Sequence, residues 1–286
     1  MVDPIKRVLI KHPKDAYKNQ SKVDQESPQL NYFDVPDFKK AISDYDKFLE
    51  FLESCDIEIH FLPEKDTTSL DSVYTHDPCV VSIGGVILCT MRKGARVPES
   101  KAVEAYFESI GVPILGRIEL PGTLEGGDVV WIDERTVAVG EGYRTNAEGI
   151  RQFKTLLGQH VDKVITVPLP HWTGPADCLH LMSNISPIDH DLYLVYSRLL
   201  PVSFRQYLLD RQIKLIEVPD EEYESMGCNV LAVAPRKVIM LKGNPITQKR
   251  LETKGVDAHT YDGAEISLKG AGGPTCLTRP FLRLAE

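Results

Sequence analysis

PILGRIELPGTLEGGDVVWIDERTVAVG, residues 113–140, decides how the chain is read. A β-rich run ends at Pro121, a loop carrying LEGGD follows, and the runs VVWI and VAVG flank the polar DERT. Short β-rich runs bounded by turn formers read as strands, and two of them about a compact polar turn read as a hairpin. The segment ahead of them, PESKAVEAYFESIG at 98–111, opens with proline and reads as a helix. The order is therefore helix, strand, loop, hairpin.

The same order recurs on both sides. Upstream, PDFKKAISDYDKFLEFLESC has an opening proline and apolar residues three and four apart, the signature of an amphipathic helix. IEIHFLP and the hairpin PCVVSIGGVILC follow it. Downstream, NAEGIRQFKTLLGQ leads to VDKVITVPLP, a loop containing CLHLMSN, and the strands ISPI and LYLVYS joined through DHD. A fourth copy runs SFRQYLLDRQ, IKLIEVP, MGCN and VLAV-APR-KVIML. A fifth has a shorter helix after Asn244-Pro245, the strand VDAHTYD, the loop GAGGPTC and one strand, LTRPFLRL. RVLIKHP, near residue 10, supplies the missing partner of that last strand. Five units whose last hairpin is completed by the first strand close a ring without an exposed sheet edge, so one closed α/β domain over residues 1–286 is expected.

Composition narrows the function. The 286 residues carry 33 Lys and Arg against 41 Asp and Glu, a net charge of −8, with the basic residues scattered singly or in pairs. Binding a phosphate backbone needs clustered Lys and Arg, so nucleic acid is not an expected partner. No apolar run approaches a membrane span, and MVDPIKRVLIKHP lacks the core of a signal peptide, so a cytoplasmic protein with no membrane partner is expected. The cysteines Cys55, Cys79, Cys89, Cys178, Cys228 and Cys276 contain no C-x-x-C pair and read as thiols in a reducing compartment. Cys178 and His180 form a C-x-H without a second ligand pair, so neither a metal nor a cofactor is expected.

The loops ahead of the hairpins carry the unusual chemistry. They present Asp77 in YTHDP, Glu125 in LEGGD, His180 in CLHLMS, Cys228-Asn229 in MGCN and Cys276 in GGPTC, at separations of 48, 55, 48 and 48 residues. Taken singly, Glu125 reads as a turn residue, His180 as a satisfied core histidine, Cys276 as buried filling and Asp77 as an N-cap. Recurrence at one phase of each unit argues otherwise, because packing gives no reason to choose polar residues at that place every time. In a ring they converge, and they amount to a nucleophile, an acid–base group, an orienter and a cation-binding carboxylate.

YTHDP, TLEGGDVVW, GYRTN, HLMS and GGPTC together resemble the motif series of the guanidine-modifying enzymes, in particular dimethylargininases and arginine deiminases. The resemblance spans Asp77 to Cys276 and implies a five-bladed α/β propeller, the pentein fold, which agrees with the repeat count. It implies that Cys276 attacks a guanidinium carbon, that His180 protonates the departing nitrogen and then activates water, and that Glu125 holds His180. It implies that Asp77 grips the guanidinium nitrogens and that Arg144 and Arg96 bind the substrate carboxylate, with Arg92 in TMRKGARVPES competing with Arg96. A thiol of ordinary acidity is only a few per cent thiolate at neutral pH, so a cationic neighbour, imidazolium or the substrate itself, must activate it.

Two departures bear on substrate. Arginine deiminases usually have an acid two residues after the histidine, where this chain has Met182. Dimethylargininases place Glu before the aspartate, where this chain has His76. The expected activity is hydrolysis of a methylated arginine or arginine, with citrulline hydrolysis, arginine dihydrolysis and amidinotransfer as enzymatic alternatives and a vestigial propeller scaffold as the other. The partner is then a small guanidino or ureido amino acid, with a homodimer left open. SKVDQESPQLNYFDVP, residues 21–36, is polar and long for a connection; it reads either as a plain surface loop or as a lid, which would bring Asn31 to the substrate.

Overall fold

The computed structural model describes Val2–Leu284. Strand β1 (Ile5–Ile10) leads through the short helices α1 (Pro13–Ala16) and α2 (Gln20–Glu26) to the long α3 (Phe38–Glu53) and then β2 (Glu58–Phe61). One pattern then holds four times: an antiparallel hairpin, a segment containing a helix, and a third strand parallel to the second. The first instance is β3 (Cys79–Ser82), β4 (Gly85–Leu88), α4 (Val97–Ser109) and β5 (Ile114–Arg117). The second is β6 (Val129–Asp133), β7 (Thr136–Glu141), α5 (Ala147–Leu157) and β8 (Lys163–Pro168). The third is β9 (Ile185–Asp189), β10 (Leu192–Val195), α6 (Val202–Asp210) and β11 (Lys214–Glu217). The fourth is β12 (Val230–Ala234), β13 (Lys237–Leu241), α7 (Pro245–Thr253) and β14 (Asp257–Tyr261).

The fifth sheet joins the two ends of the chain. Strand β15 (Arg279–Arg283) lies antiparallel to β1, with Val8 opposite Pro280 and Leu9 opposite Arg279, and β1 runs parallel to β2. The N-terminal strand therefore completes the last hairpin. The sequence units and the sheets are nevertheless out of phase. A strand that follows a helix pairs with the hairpin before that helix, because a parallel neighbour can be reached only through a crossover. Each polar loop thus leads out of one three-stranded sheet and into the next.

The described chain forms two compact units. One comprises His76–Asn184 and Ser197–Gln212; the other comprises Val2–Thr75, Ile185–Tyr196 and the chain from Ile213 onward. In the first, Val80, Ile87, Leu124, Val137, Ile150 and Phe153 form a buried apolar core. In the second, α3 supplies Ala41, Tyr45, Phe48 and Leu52 from one face, and these pack with Val8, Leu231, Ile239, Tyr261 and Leu277. Asp37 caps α3 by accepting from the Lys40 amide, and Asn146 caps α5 by accepting from Gly149.

Part of the 21–36 stretch is helical. Asn19 caps α2 by accepting from the Lys22 amide, and Ser27 Oγ donates back to the Val23 carbonyl. Only Val23 of α2 is buried, so local capping specifies a helix where hydrophobic periodicity is too thin to announce one. Beyond α2, the Phe33 amide donates to the Lys269 carbonyl at 2.8 Å and Lys269 Nζ to the Val35 carbonyl at 3.0 Å, which ties the segment to the stretch just before the Cys276 loop.

Phe48 is fully buried and its ring stands 5.0 Å from that of Tyr261 and 5.7 Å from that of Tyr45. Phe48→Ala is expected to cost about 3–5 kcal/mol in urea denaturation. Phe33→Ala, at a ring 76% exposed, is expected to stay within about 0.5 kcal/mol of the parent.

Candidate active site

Asp77 stands ahead of β3 and is buried. Its Oδ2 accepts from Arg96 Nη1 at 2.6 Å, its Oδ1 from the Gly127 amide at 3.0 Å, and its carbonyl from the Gly126 amide at 2.9 Å. The other edge of the Arg96 guanidinium grips Glu99, with Nη2 2.9 Å from Oε2 and Nε 3.0 Å from Oε1. Arg96 is therefore a buried, doubly paired cation and not a surface charge, whereas Arg92 is exposed. The turn Gly94–Arg96 leads directly into α4, and this places Arg96 and Glu99 side by side.

Glu125 has no solvent exposure. Its Oε1 accepts from the Arg92 amide at 2.9 Å, while Oε2 is shared by Arg144 Nη1 at 2.9 Å and His180 Nε2 at 2.8 Å. A second carboxylate braces the same histidine through the backbone. The Thr145 hydroxyl donates to Asp128 Oδ2 at 2.6 Å, and Asp128 Oδ1 accepts from the amide of Leu181, the residue after His180. On its other side His180 Nδ1 lies 3.7 Å from Cys178 Sγ and 3.9 Å from Asp77 Oδ1. Gly127 is what lets these groups meet, since a Cβ there would overlap His180 Nδ1 and lie 2.9 Å from Asp77 Oδ1.

These contacts set the charge states. Burial alone would favour neutral Asp77, but the Arg96 guanidinium, with His180 and His76 adding to it, holds the carboxyl well below the usual range. Burial opposes ionisation of Glu125 as well, and His180 with Arg144 brings it down to about 2. At Asp128 burial prevails over His180, Thr145 and Leu181, and the carboxyl is lifted to about 6. Burial disfavours imidazolium at His180, yet Cys178, Asp128 and Asp77 outweigh it and hold the ring well above its ordinary value. Burial likewise raises the Cys178 thiol, and His180 and Arg144 reverse that shift. An imidazolium fixed by a carboxylate at one nitrogen, with Cys178 at 3.7 Å and Asp77 at 3.9 Å from the other, can give a proton.

The second unit carries Cys276. Asn229 Nδ2 donates to its Sγ at 3.3 Å, and Asn229 Oδ1 accepts from the Thr275 amide at 3.1 Å. The glycine run fits the loop against its neighbours: a Cβ at Gly273 would overlap the Asn229 carboxamide. Tyr74, packed against the same run, donates its hydroxyl to the Ile266 carbonyl at 3.0 Å.

The first unit thus brings together Asp77, Arg96, Glu125, Arg144 and His180, with buried His76 adjoining Asp77 in the chain. Cys276 and Asn31 belong to the second unit, where Asn31 is exposed with φ 61°. Sequence reasoning missed Glu99 and Asp128 as partners of the site residues; it put Cys228-Asn229 at one of the converging positions without telling the two apart, and weighed Cys178 with His180 only as a metal-ligand pair. Asp128 closes the LEGGD motif and was legible there. In MGCN, Cys228 is buried, with its acidity suppressed by burial, and the neighbouring Asn229 reaches the sulfur of Cys276. Among the described residues, no group of three or more His, Cys, Asp or Glu is arranged to hold a metal ion.

Comparison with known proteins places the chain in a family. The family model described as N,N dimethylarginine dimethylhydrolase, eukaryotic, matches residues 16–283. The N(G),N(G)-dimethylarginine dimethylaminohydrolase of Pseudomonas aeruginosa is 30% identical over 246 residues, which cover 86% of this chain and 90% of the relative. A solved structure of the Pseudomonas aeruginosa enzyme, a cysteine-to-serine mutant complexed with citrulline, matches with a TM-score of 0.77 at 27% identity, covering 98% of this chain and 100% of that one. The N-terminal domain of a cyanobacterial arginine dihydrolase matches in fold, with a TM-score of 0.80 at 19% identity over 98% of each chain. The α/β fold of five small sheets is thus that of hydrolases acting on C–N bonds in amidines. The chain belongs to the dimethylarginine dimethylaminohydrolase family.

Glu125→Gln removes a buried anion from two cations and is expected to destabilise the protein by about 3 kcal/mol at pH 7. Because folding depresses the Glu125 carboxyl from 4.5 to about 2, the parent's advantage is fully present above pH 4.5 and is lost as pH falls toward 2. Urea titrations of both proteins at pH 7 and pH 3 check the sign.

Proposed function

We propose that the chain hydrolyses the guanidino group of a methylated arginine, giving citrulline and the methylated amine, with Cys276 as nucleophile and His180 as acid and base. The observation that carries this reading is the His180–Glu125 contact of 2.8 Å in a buried site where Cys178, Asp128 and Asp77 hold the imidazole's pKa well above its ordinary value. Membership of the dimethylarginine dimethylaminohydrolase family supports it. We infer further that the five sheets stand as five blades of one catalytic domain closed by β1, and that the six thiols suit a reducing, cytoplasmic setting.

The chemistry balances with these groups alone. Thiolate attack forms a C–S bond at the guanidinium carbon, and the tetrahedral adduct collapses by breaking the C–N bond to the methylated nitrogen. His180 supplies the proton with which that amine leaves. Neutral His180 then takes a proton from water as the water oxygen bonds to the same carbon. Breaking the C–S bond leaves its electron pair on sulfur, the hydroxyl proton of the adduct passes to solvent, where the departed amine takes it up, and the ureido product is released. In this reading Asp77 faces the guanidinium, a pairing whose geometry fixes the carbon for attack. Arg144 serves the substrate carboxylate, Arg96 acts with it or through Asp77, and His76 and Asn31 border the pocket.

His76, in place of the acid found in dimethylargininases, makes the pocket less anionic, so substrate choice is the finest part of the proposal. Purified protein incubated with dimethylarginines, arginine, agmatine and citrulline is expected to release methylated amine and citrulline fastest from a methylated arginine. Cys276→Ala is expected to lower that rate at least about a thousandfold, as loss of a covalent nucleophile does. Full turnover by Cys276→Ala excludes the mechanism; ornithine and ammonia as the main products from arginine assign dihydrolysis instead.

A further inference from the structure

Asn229 stands in the fourth of the converging loops with no role given to it by the motifs, yet its carboxamide meets the Cys276 loop at two points. The orientation of the amide is dictated by its surroundings. The Thr275 N–H is a donor, so the side-chain atom 3.1 Å from it must be the carbonyl oxygen, and the amide nitrogen must then face Cys276 Sγ at 3.3 Å. Asn229 is 8% exposed, so water does not compete freely for this donor. The loop is shaped around it. There is no room for a Cβ at Gly273, the Thr275 hydroxyl donates to the Val230 carbonyl at 3.3 Å, and the Leu277 amide donates to the Gly273 carbonyl at 3.1 Å.

An N–H donor aimed at sulfur distinguishes the two states of that sulfur. A thiol accepts a hydrogen bond weakly, whereas a thiolate accepts a charge-assisted one that is roughly twice as strong as a neutral bond. A donor fixed at this place therefore favours the ionised nucleophile before attack, and favours it again when the C–S bond breaks and returns an electron pair to sulfur. We propose that Asn229 is a catalytic residue that stabilises and aims the Cys276 thiolate through its side-chain N–H. The proposal rests on the reading of Cys276 as nucleophile.

Two variants separate the donor from the scaffold. Asn229→Asp keeps an acceptor for the Thr275 amide but removes the donor to sulfur, and Asn229→Leu removes the donor without adding charge. The measurement is the pH dependence of iodoacetamide alkylation at Cys276, followed by peptide-resolved mass spectrometry, with thermal midpoints to verify folding. Both variants are expected to alkylate with a midpoint displaced to higher pH. Their kcat is expected to fall about ten- to a hundredfold, as for loss of a hydrogen bond to a charged group, with KM changed far less. An unshifted midpoint in folded Asn229→Leu overturns the proposal, even if Asn229→Asp shifts, because the effect is then one of added charge. Turnover by Cys276→Ala would instead remove the nucleophile reading itself, so the two failures are distinguishable.

Discussion

Glu125 divides its two carboxylate oxygens among three donors: the Arg92 amide at one, and Arg144 and His180 at the other, with no water access. A buried carboxylate is tolerated only when its lone pairs are filled and its charge is answered. Arg144 and His180 answer it, and the remaining loops of the first unit are arranged so that they can. Asp128 holds the backbone beyond His180, Thr145 links Asp128 to the amide of Glu125, and Gly127 leaves room for the imidazole to pass close to the chain. The same carboxylate that closes this network fixes the imidazole of His180, so the stability of the unit and the orientation of that ring depend on one contact.

Topology explains why such groups collect on loops. A three-stranded sheet made of a hairpin and a parallel third strand spends its helix on the crossover, and the connection to the next sheet is free to carry function. Asp77, Glu125, His180 and Cys276 all lie in connections of that kind, ahead of β3, β6, β9 and β15. The separations of 48 residues from Asp77 to Glu125 and 55 from Glu125 to His180 are each the length of one hairpin, one crossover and one connection, and the 96 residues from His180 to Cys276 are two such lengths, with the MGCN loop between.

Much of this was legible in the sequence. Hairpins such as VVWI-DERT-VAVG and the face of α3 announce themselves by periodicity, and the pairing of the last strand with the first follows from counting hairpins. The parts that escaped share a cause: partners that only folding brings together. Arg96 and Arg92 look alike in TMRKGARVPES, and burial against Asp77 and Glu99 separates them, although Glu99 three residues beyond Arg96 was a usable hint. Helix α2 hides in a polar stretch because caps, and not apolar spacing, define it. MGCN offers a thiol and an amide side by side, and only the contact across 47 residues shows that the amide is the one that reaches Cys276.

The central claim is that the thiol of Cys276 and the imidazole of His180 act in turn on one guanidinium carbon. Peptide-resolved mass spectrometry of the His180→Asn variant, quenched after mixing with an S-alkylthiocitrulline, tests it most directly. The thiolate leaving group of that compound needs little help from a proton donor, whereas breakdown of the adduct needs an activated water. The account predicts an amidino adduct that accumulates on the peptide carrying Cys276. An adduct on the peptide carrying Cys178, or ureido product at the parent rate with no adduct, would contradict it.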